Sequence, residues 1–344
     1  MLFSGIGEAG QQKLLSSRVL LVGCGALGCV VADQLVRAGI GHLRIVDRDF
    51  VELSNLQRQS LFTERDVEQH LPKAVAAGER LQQVNSTVSV EPIVADADFG
   101  NLPGMAADVH LILDGTDNFE IRYLINDVSL ELGIPWIFTG CTGSSGQVMP
   151  VLPGKGPCLR CLMPQPPPPG STETCDTAGV LGPAIGVVSS LQAALALRLL
   201  AGETDPLQPR MTVVDVWNGR FRDVEVAHLP QQTECPACRQ GERLWLKGSR
   251  RASSTTLCGR NAVQIVPAEP LQLSLQELGR RLQTSGDVLI SRFLVRLIPS
   301  SETEQLGNEI SQVEITVFSD GRAIIRGTSD PAVARTLYSR YIGG

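Results

Sequence analysis

The chain has 344 residues, a formal net charge of −6 and 43% hydrophobic residues, enough for two domains with a sizeable core. Its acidic balance, with a pI of about 5.4, argues against general binding to nucleic acid or to an anionic membrane surface. No charged-then-apolar leader and no apolar run long enough to span a bilayer is read from it, so a cytoplasmic globular protein is expected. Nine cysteines in a chain of this size do not make a disulfide framework.

The first strong signal is Arg18-Val19-Leu20-Leu21-Val22, a buried-strand run that enters Gly23-Cys24-Gly25-Ala26-Leu27-Gly28. Glycine at these spacings lets a chain leave a strand sharply, bring its amides close to a phosphate and start a helix against the sheet. That helix start offers unpaired N–H groups and a positive dipole end. A second strand over residues 43–46 ends in Asp47, about 20 residues on, where a carboxylate accepts from ribose hydroxyls. To this point the pattern favours a dinucleotide, and an NAD-dependent oxidoreductase would use the same parts.

Downstream residues favour a triphosphate. Ser54-Asn55-Leu56-Gln57-Arg58-Gln59 and Lys73 follow the second strand; an arginine forks onto phosphate oxygens and a lysine meets them as a point charge. A third strand over residues 109–114 runs into Gly115-Thr116-Asp117-Asn118, and a carboxylate at a strand's C-terminal edge suits magnesium on phosphates. Singly, each of these reads more readily as a surface ion pair or a loop cap. Their order along one fold is what points to the triphosphate.

Strands and helices alternate through Asp215, the pattern of a doubly wound, mostly parallel α/β sheet. An apolar stretch over 187–200 reads as a buried helix, followed by strands at 211–216 and 222–228. Cys158-Leu159-Arg160-Cys161 and Cys235-Pro236-Ala237-Cys238 form two C-x-x-C pairs, the local spacing of four thiolates on a closed structural zinc. A redox pair or disulfides are the rival readings. Cys24, Cys29, Cys141 and Cys258 read as small buried hydrophobes. Cys175 follows the stiff loop Pro164-Gln165-Pro166-Pro167-Pro168-Pro169-Gly170.

Together, Gly5-Ile6-Gly7-Glu8-Ala9-Gly10-Gln11, the glycine turn, Val46-Asp47-Arg48-Asp49, the 54–59 string and Asp114-Gly115-Thr116-Asp117-Asn118 resemble the ThiF/MoeB/HesA family, over about residues 1–240. These ubiquitin-activating-enzyme-like adenylyltransferases use ATP and Mg2+ to adenylate the C-terminal Gly-Gly carboxylate of a small ubiquitin-like sulfur carrier, releasing pyrophosphate. Carried over by position, the resemblance implies that Gly23, Gly25, Ala26 and Gly28 hold the nucleotide. Asp47 with Asp49 then serves the ribose side, Ser54, Asn55, Arg58 and Lys73 serve the phosphates, and Asp117, beside Asn118, serves magnesium. It supports zinc on Cys158, Cys161, Cys235 and Cys238, and it makes Cys175 the candidate for a thioester or persulfide-linked intermediate. It also implies a homodimer and a sulfur donor such as a cysteine desulfurase. Catalysis would rest on Arg58, Lys73, Asp117 and Cys175.

Composition shifts over 241–256, read as a linker between an ATP-binding domain at 1–240 and a small α+β domain at 257–344. In the latter, strands are expected at 262–266, 287–298, 313–318 and 323–326, the last two flanking the hairpin signal Ser319-Asp320-Gly321-Arg322. Ser274 opens an amphipathic helix to 283, and Asp330 and Pro331 open a closing helix. A sulfur-transferring rhodanese module is not expected, because Cys258, its one cysteine, lies outside any arginine-bearing anion loop. Extensions of this kind favour thiamine over molybdopterin synthesis as the pathway. Met1 falls after the position of an arginine that family members lend to a partner subunit, which points to a start assigned too late or to a non-catalytic partner subunit. The terminal Gly343-Gly344 reads as a frayed end rather than a self-substrate.

Overall fold

The computed structural model describes residues 3–117, 119–166, 179–202, 210–232, 234–248, 254–257, 261–266, 272–300 and 313–342. Asn118, Cys175, Cys258, Gly343 and Gly344 therefore lie outside the described residues. The chain divides into two compact units, Met1–Arg250 and Arg251–Gly344, which meet inside the stretch read as a linker.

The first unit carries α1 (Gly7–Leu15), β1 (Arg18–Val22), α2 (Ala26–Ala38), β2 (His42–Asp47), α3 (Glu64–Glu68), α4 (Lys73–Val84), β3 (Ser89–Val94), α5 (Leu102–Ala106), β4 (Leu111–Asp114), α6 (Phe119–Leu132), β5 (Trp136–Thr142), β6 (Ser145–Val151), α7 (Leu159–Leu162), α8 (Gly182–Ala201), β7 (Arg210–Asp215), β8 (Arg220–Glu225) and α9 (Leu229–Gln232). Its eight strands are ordered β3-β2-β1-β4-β5-β6-β7-β8. The first five run parallel and the last three continue antiparallel. Helices α2, α4 and α8 cover one face and α5 and α6 the other, so the central strands bury both faces and read as continuous apolar runs. Leu20, Val22, Ile112, Trp136 and Phe138 sit in that core.

The chain reverses its winding between β1 and β4, and ligands bind outside the carboxyl ends of strands at such a switch point. Register fixes that edge: Val22 is level with both Val46 and Asp114. The turns that leave β1, β2 and β4 therefore emerge together.

Helix α8 corrects the reading that no apolar run reaches membrane-spanning length. It extends to 20 residues and is long and apolar enough by composition. Its packing on α2, β5 and β6 buries half of that apolar stretch and accounts for the apolarity of the packed face.

The second unit is an antiparallel sheet ordered β11-β12-β13-β14-β10-β9, from β9 (Ser254–Leu257), β10 (Ala262–Ile265), β11 (Gly286–Ile290), β12 (Leu294–Pro299), β13 (Glu314–Phe318) and β14 (Ala323–Arg326). Helices α10 (Leu275–Leu282) and α11 (Pro331–Tyr341) pack Leu278, Leu282, Leu337 and Tyr338 against Val263, Val295, Ile315 and Ile325. The single strand expected at 287–298 is two strands. The Ser291 hydroxyl accepts from the amides of Phe293 and Leu294, each at 3.1 Å, and a side chain that captures backbone donors in this way turns the chain out of a ladder.

Candidate nucleotide and metal sites

At the C-terminal edge of β1 the chain turns through Gly23, whose φ of +89° is left-handed, a conformation glycine adopts without steric cost. A Cβ on Gly28 would fall on the Gly23 carbonyl oxygen, so α2 packs against the turn with no room for a side chain. The Gly23 amide donates to Val46 O at 2.8 Å and the Gly115 amide to Val22 O at 2.9 Å. These bonds lock the three strand ends into one rim. Gly25 and Ala26 open α2 there, with no side-chain cap on the first-turn amides, which have no intrahelical partner.

Asp47 holds the turn from the next strand. One carboxylate oxygen accepts from the Cys24 amide at 2.6 Å and the other from the Asp49 amide at 2.8 Å, leaving lone pairs for ribose hydroxyls. Burial pushes its carboxyl above the usual carboxylate range, and the Lys73 ammonium partly opposes this. Lys73 is the first residue of α4 and its side chain is 4% exposed. Its Nζ donates to the Asp49 carboxylate at 3.0 Å and its amide to Asp49 O at 2.9 Å. The structure thus places Asp47, Asp49, Lys73 and the glycine turn together, with Asp49 aiming the ammonium.

The loop after β2 supplies the remaining groups. A short turn at Leu53–Asn55 is closed by a capping box between Glu52 and Asn55. Asn55 is buried, takes the Glu52 amide on Oδ1 at 3.2 Å and donates to Ser54 Oγ at 3.4 Å. Arg58 spends one N–H on Ser54 O at 3.0 Å and has no ion pair among the described residues. Asp117 is exposed just beyond Gly115 on the β4 side of the rim, suited to a hydrated cation.

Sequence reasoning gave no role to Arg122, which shapes this β4 loop from α6. Its guanidinium donates to Asp114 at 3.0 Å, Thr116 O at 2.6 Å and Thr139 O at 3.0 Å. Asp114 is fully buried; burial raises its carboxyl and the Arg122 charge lowers it. Arg122 is the one basic residue of α6, which also carries Glu120, Asp127 and Glu131, and that was the only available signal. The chain re-enters the described structure at Gly179 beside the same site: Gly143 donates to Gly179 O at 3.0 Å and Leu181 to Gly143 O at 2.9 Å.

The four paired cysteines converge as their spacing predicts. Their sulfurs lie within 4.8 Å of one another, three of the residues buried, with contacts of 3.6 Å for Cys158–Cys235 and 3.4 Å for Cys161–Cys238. Zinc–sulfur bonds near 2.3 Å place tetrahedral thiolates about 3.8 Å apart, so the donor set fits. Sulfur hydrogen bonds from Cys158 and Cys161 lower the Cys238 thiol to about 7. Cys24, Cys29 and Cys141 are buried and form no disulfide.

A tight glycine turn, a buried carboxylate and cations gathered on the rim of a doubly wound sheet are the parts of a nucleotide site. The chain belongs to the ThiF family, whose model matches residues 1–237. It is 39% identical over 343 residues to the sulfur carrier protein ThiS adenylyltransferase of Bacillus subtilis, covering 99% of this chain and 97% of that protein. It is 41% identical over 243 residues to the sulfur carrier protein adenylyltransferase of Thermus thermophilus, covering 69% and 88% respectively. The fold is similar to the crystal structure of E. coli MccB with ATP, at a TM-score of 0.56 and 23% identity, covering 64% of this chain and 66% of that one.

Proposed function

We infer that this chain is an ATP-dependent adenylyltransferase that activates the C-terminal Gly-Gly carboxylate of a small ubiquitin-like sulfur carrier, releasing pyrophosphate, in thiamine thiazole synthesis. The observation that carries the reaction is the buried Lys73 ammonium, held by Asp49 at the rim where the glycine turn opens. A dinucleotide site has no need of it, and a triphosphate does. The likeness to the Bacillus relative, which extends through the second unit, supports the thiamine carrier over a molybdopterin one.

In this reading Asp47 takes the ribose hydroxyls, the amides of Gly25 and Ala26 meet the phosphate next to the ribose, and Lys73, Arg58, Ser54 and Asn55 serve the outer phosphates. Asp117, beside Asn118, would hold Mg2+, which would supply charge neutralisation to the phosphates. The carrier carboxylate is already ionised, so no general base is required. One of its oxygens attacks the α-phosphorus, the bond from that phosphorus to the bridging oxygen breaks, and pyrophosphate leaves with the electron pair. What this chain supplies is alignment and fixed positive charge.

Zinc on the cysteine tetrad staples the first unit. Cys175 is the residue to carry a covalent sulfur intermediate, and a cysteine desulfurase is the donor upstream. The enzyme works as a cytoplasmic homodimer. ATP–pyrophosphate exchange run with Mg2+ and a thiamine-type carrier, a molybdopterin-type carrier or none tests the reading. Exchange with the thiamine-type carrier alone is expected; exchange with the other carrier alone moves the enzyme to the other pathway, and silence with both removes the activity.

A further inference from the structure

The string after β2 contains a residue to which neither the sequence reading nor the site described above gives work. Gln59 is 4% exposed, yet its Oε1 has no hydrogen-bond partner. An amide oxygen buried without a donor is destabilising, and a leucine of similar size would fill the place without that cost; the amide nitrogen is the group that faces the site. The amide also has a definite address. Its Nε2 lies 3.9 Å from where a Cβ on Gly25 would sit, directly over the turn whose amides open α2. Its backbone is pinned by a bond to Asn55 O at 2.9 Å, within the turn closed by the Glu52–Asn55 box.

We propose that the Gln59 side-chain amide donates to a non-bridging oxygen of the nucleotide α-phosphate and strengthens that bond as the carrier carboxylate attacks. This rests on the adenylation reading above. Order along the rim selects the α-phosphate: Asp47 binds the Cys24 amide directly, so the phosphate next to the ribose falls at Gly25, the residue beneath the Gln59 amide nitrogen. At the α-phosphorus, attack by the carboxylate oxygen gives a five-coordinate arrangement whose equatorial oxygens gain charge before the bridging bond to pyrophosphate breaks. A fixed donor aimed at such an oxygen contributes more in the transition state than in the ground state. Among the described residues no hydrogen bond engages the amide nitrogen, so none of them must be displaced for it to engage the nucleotide.

The test uses the full chain, a Gly-Gly carrier and the variants Gln59→Met, which keeps the shape, and Gln59→Glu, which replaces the donor by a charge. ATP affinity and single-turnover formation of carrier adenylate are measured, together with melting temperature. For Gln59→Met the expectation is ATP affinity within about threefold of wild type and adenylate formation slowed about 100-fold, the effect of losing one oxyanion donor. Gln59→Glu loses affinity as well. Replacing ATP by its two α-thio diastereomers supplies a readout that a packing role would not move: wild type discriminates between them, and Gln59→Met loses most of that discrimination. A methionine variant that adenylates at the wild-type rate, or keeps the thio discrimination, overturns the donor role. Wild-type enzyme that forms no adenylate overturns the underlying reading and this role with it.

Discussion

Replacing Arg122 by methionine removes the guanidinium that holds the β4 loop while keeping most of its apolar stem. The loss is large because of what remains. Asp114 is fully buried and Thr139 likewise, and the arginine makes three hydrogen bonds of 2.6–3.0 Å to this cluster. Its charge also lies over the rings of Phe119 at 5.1 Å and Phe138 at 5.5 Å. Breaking a buried ion pair from one side costs about 3–5 kcal/mol, whereas replacing both partners by apolar groups is close to neutral. Arg122→Met is therefore expected to lower the stability of the first unit by about 3–5 kcal/mol, and Asp114→Leu with Arg122→Met to recover most of it. Urea unfolding followed by tryptophan fluorescence suits the purpose, because Trp136, Trp217 and Trp245 all lie in the first unit. A loss below about 1 kcal/mol for the single variant, or a double variant worse than the single, would refute the assignment of Arg122 as the counter-charge to Asp114.

Lys73→Met is expected to weaken ATP binding about 10- to 100-fold, the worth of one charge-assisted hydrogen bond, by calorimetric titration; unchanged affinity would take the ammonium out of the phosphate site. ATP affinity should fall on the acid side at a higher pH than an ordinary carboxylate would give, because Asp47 is held above its usual range and its ionised form is lost as pH drops through that raised value. The linked stability has the opposite sign, present below the unfolded value and lost as pH rises through the folded one, and Asp47→Asn should abolish both limbs. Metal analysis of the purified protein should find one zinc per chain, lost in Cys235→Ser together with thermal stability; a metal-free protein of unchanged melting temperature would leave the tetrad without its staple. Cys175→Ala is expected to leave adenylation intact and to reduce sulfur transfer, and equal transfer rates would remove the covalent role.

How far the sequence could be read depended on which physical signal each residue carries. Strand β1 was legible to the residue because four consecutive apolar positions after Arg18 end at a glycine turn. The helix at 187–200 was legible in kind but begins at Gly182, since its first turn lacks charge or capping signals. The antiparallel half of the large sheet was not legible as such: every residue of β8 is exposed, so no alternation betrays its pairing. In the second unit Ser291 looks like any polar residue in a strand, and only its captured amides reveal a hairpin. Chemistry followed the same division. The cysteine pairs announce their convergence by spacing alone, and Asp47 by its distance from the glycines. Lys73 was recognisable by type, whereas its burial and its pairing with Asp49 needed the fold. Arg122 and Gln59 carry no motif of their own, and their roles emerge from what surrounds them.

The central claim is that a carboxylate of a second protein is joined to AMP at this rim. Intact-mass spectrometry of a thiamine-type carrier, after incubation with the enzyme, ATP and Mg2+, tests that directly. The account predicts an adenylate on the carrier that requires its terminal Gly-Gly and disappears in Lys73→Met. ATP consumed with the carrier unchanged, or an adenylate formed equally on a carrier lacking the two glycines, would contradict it.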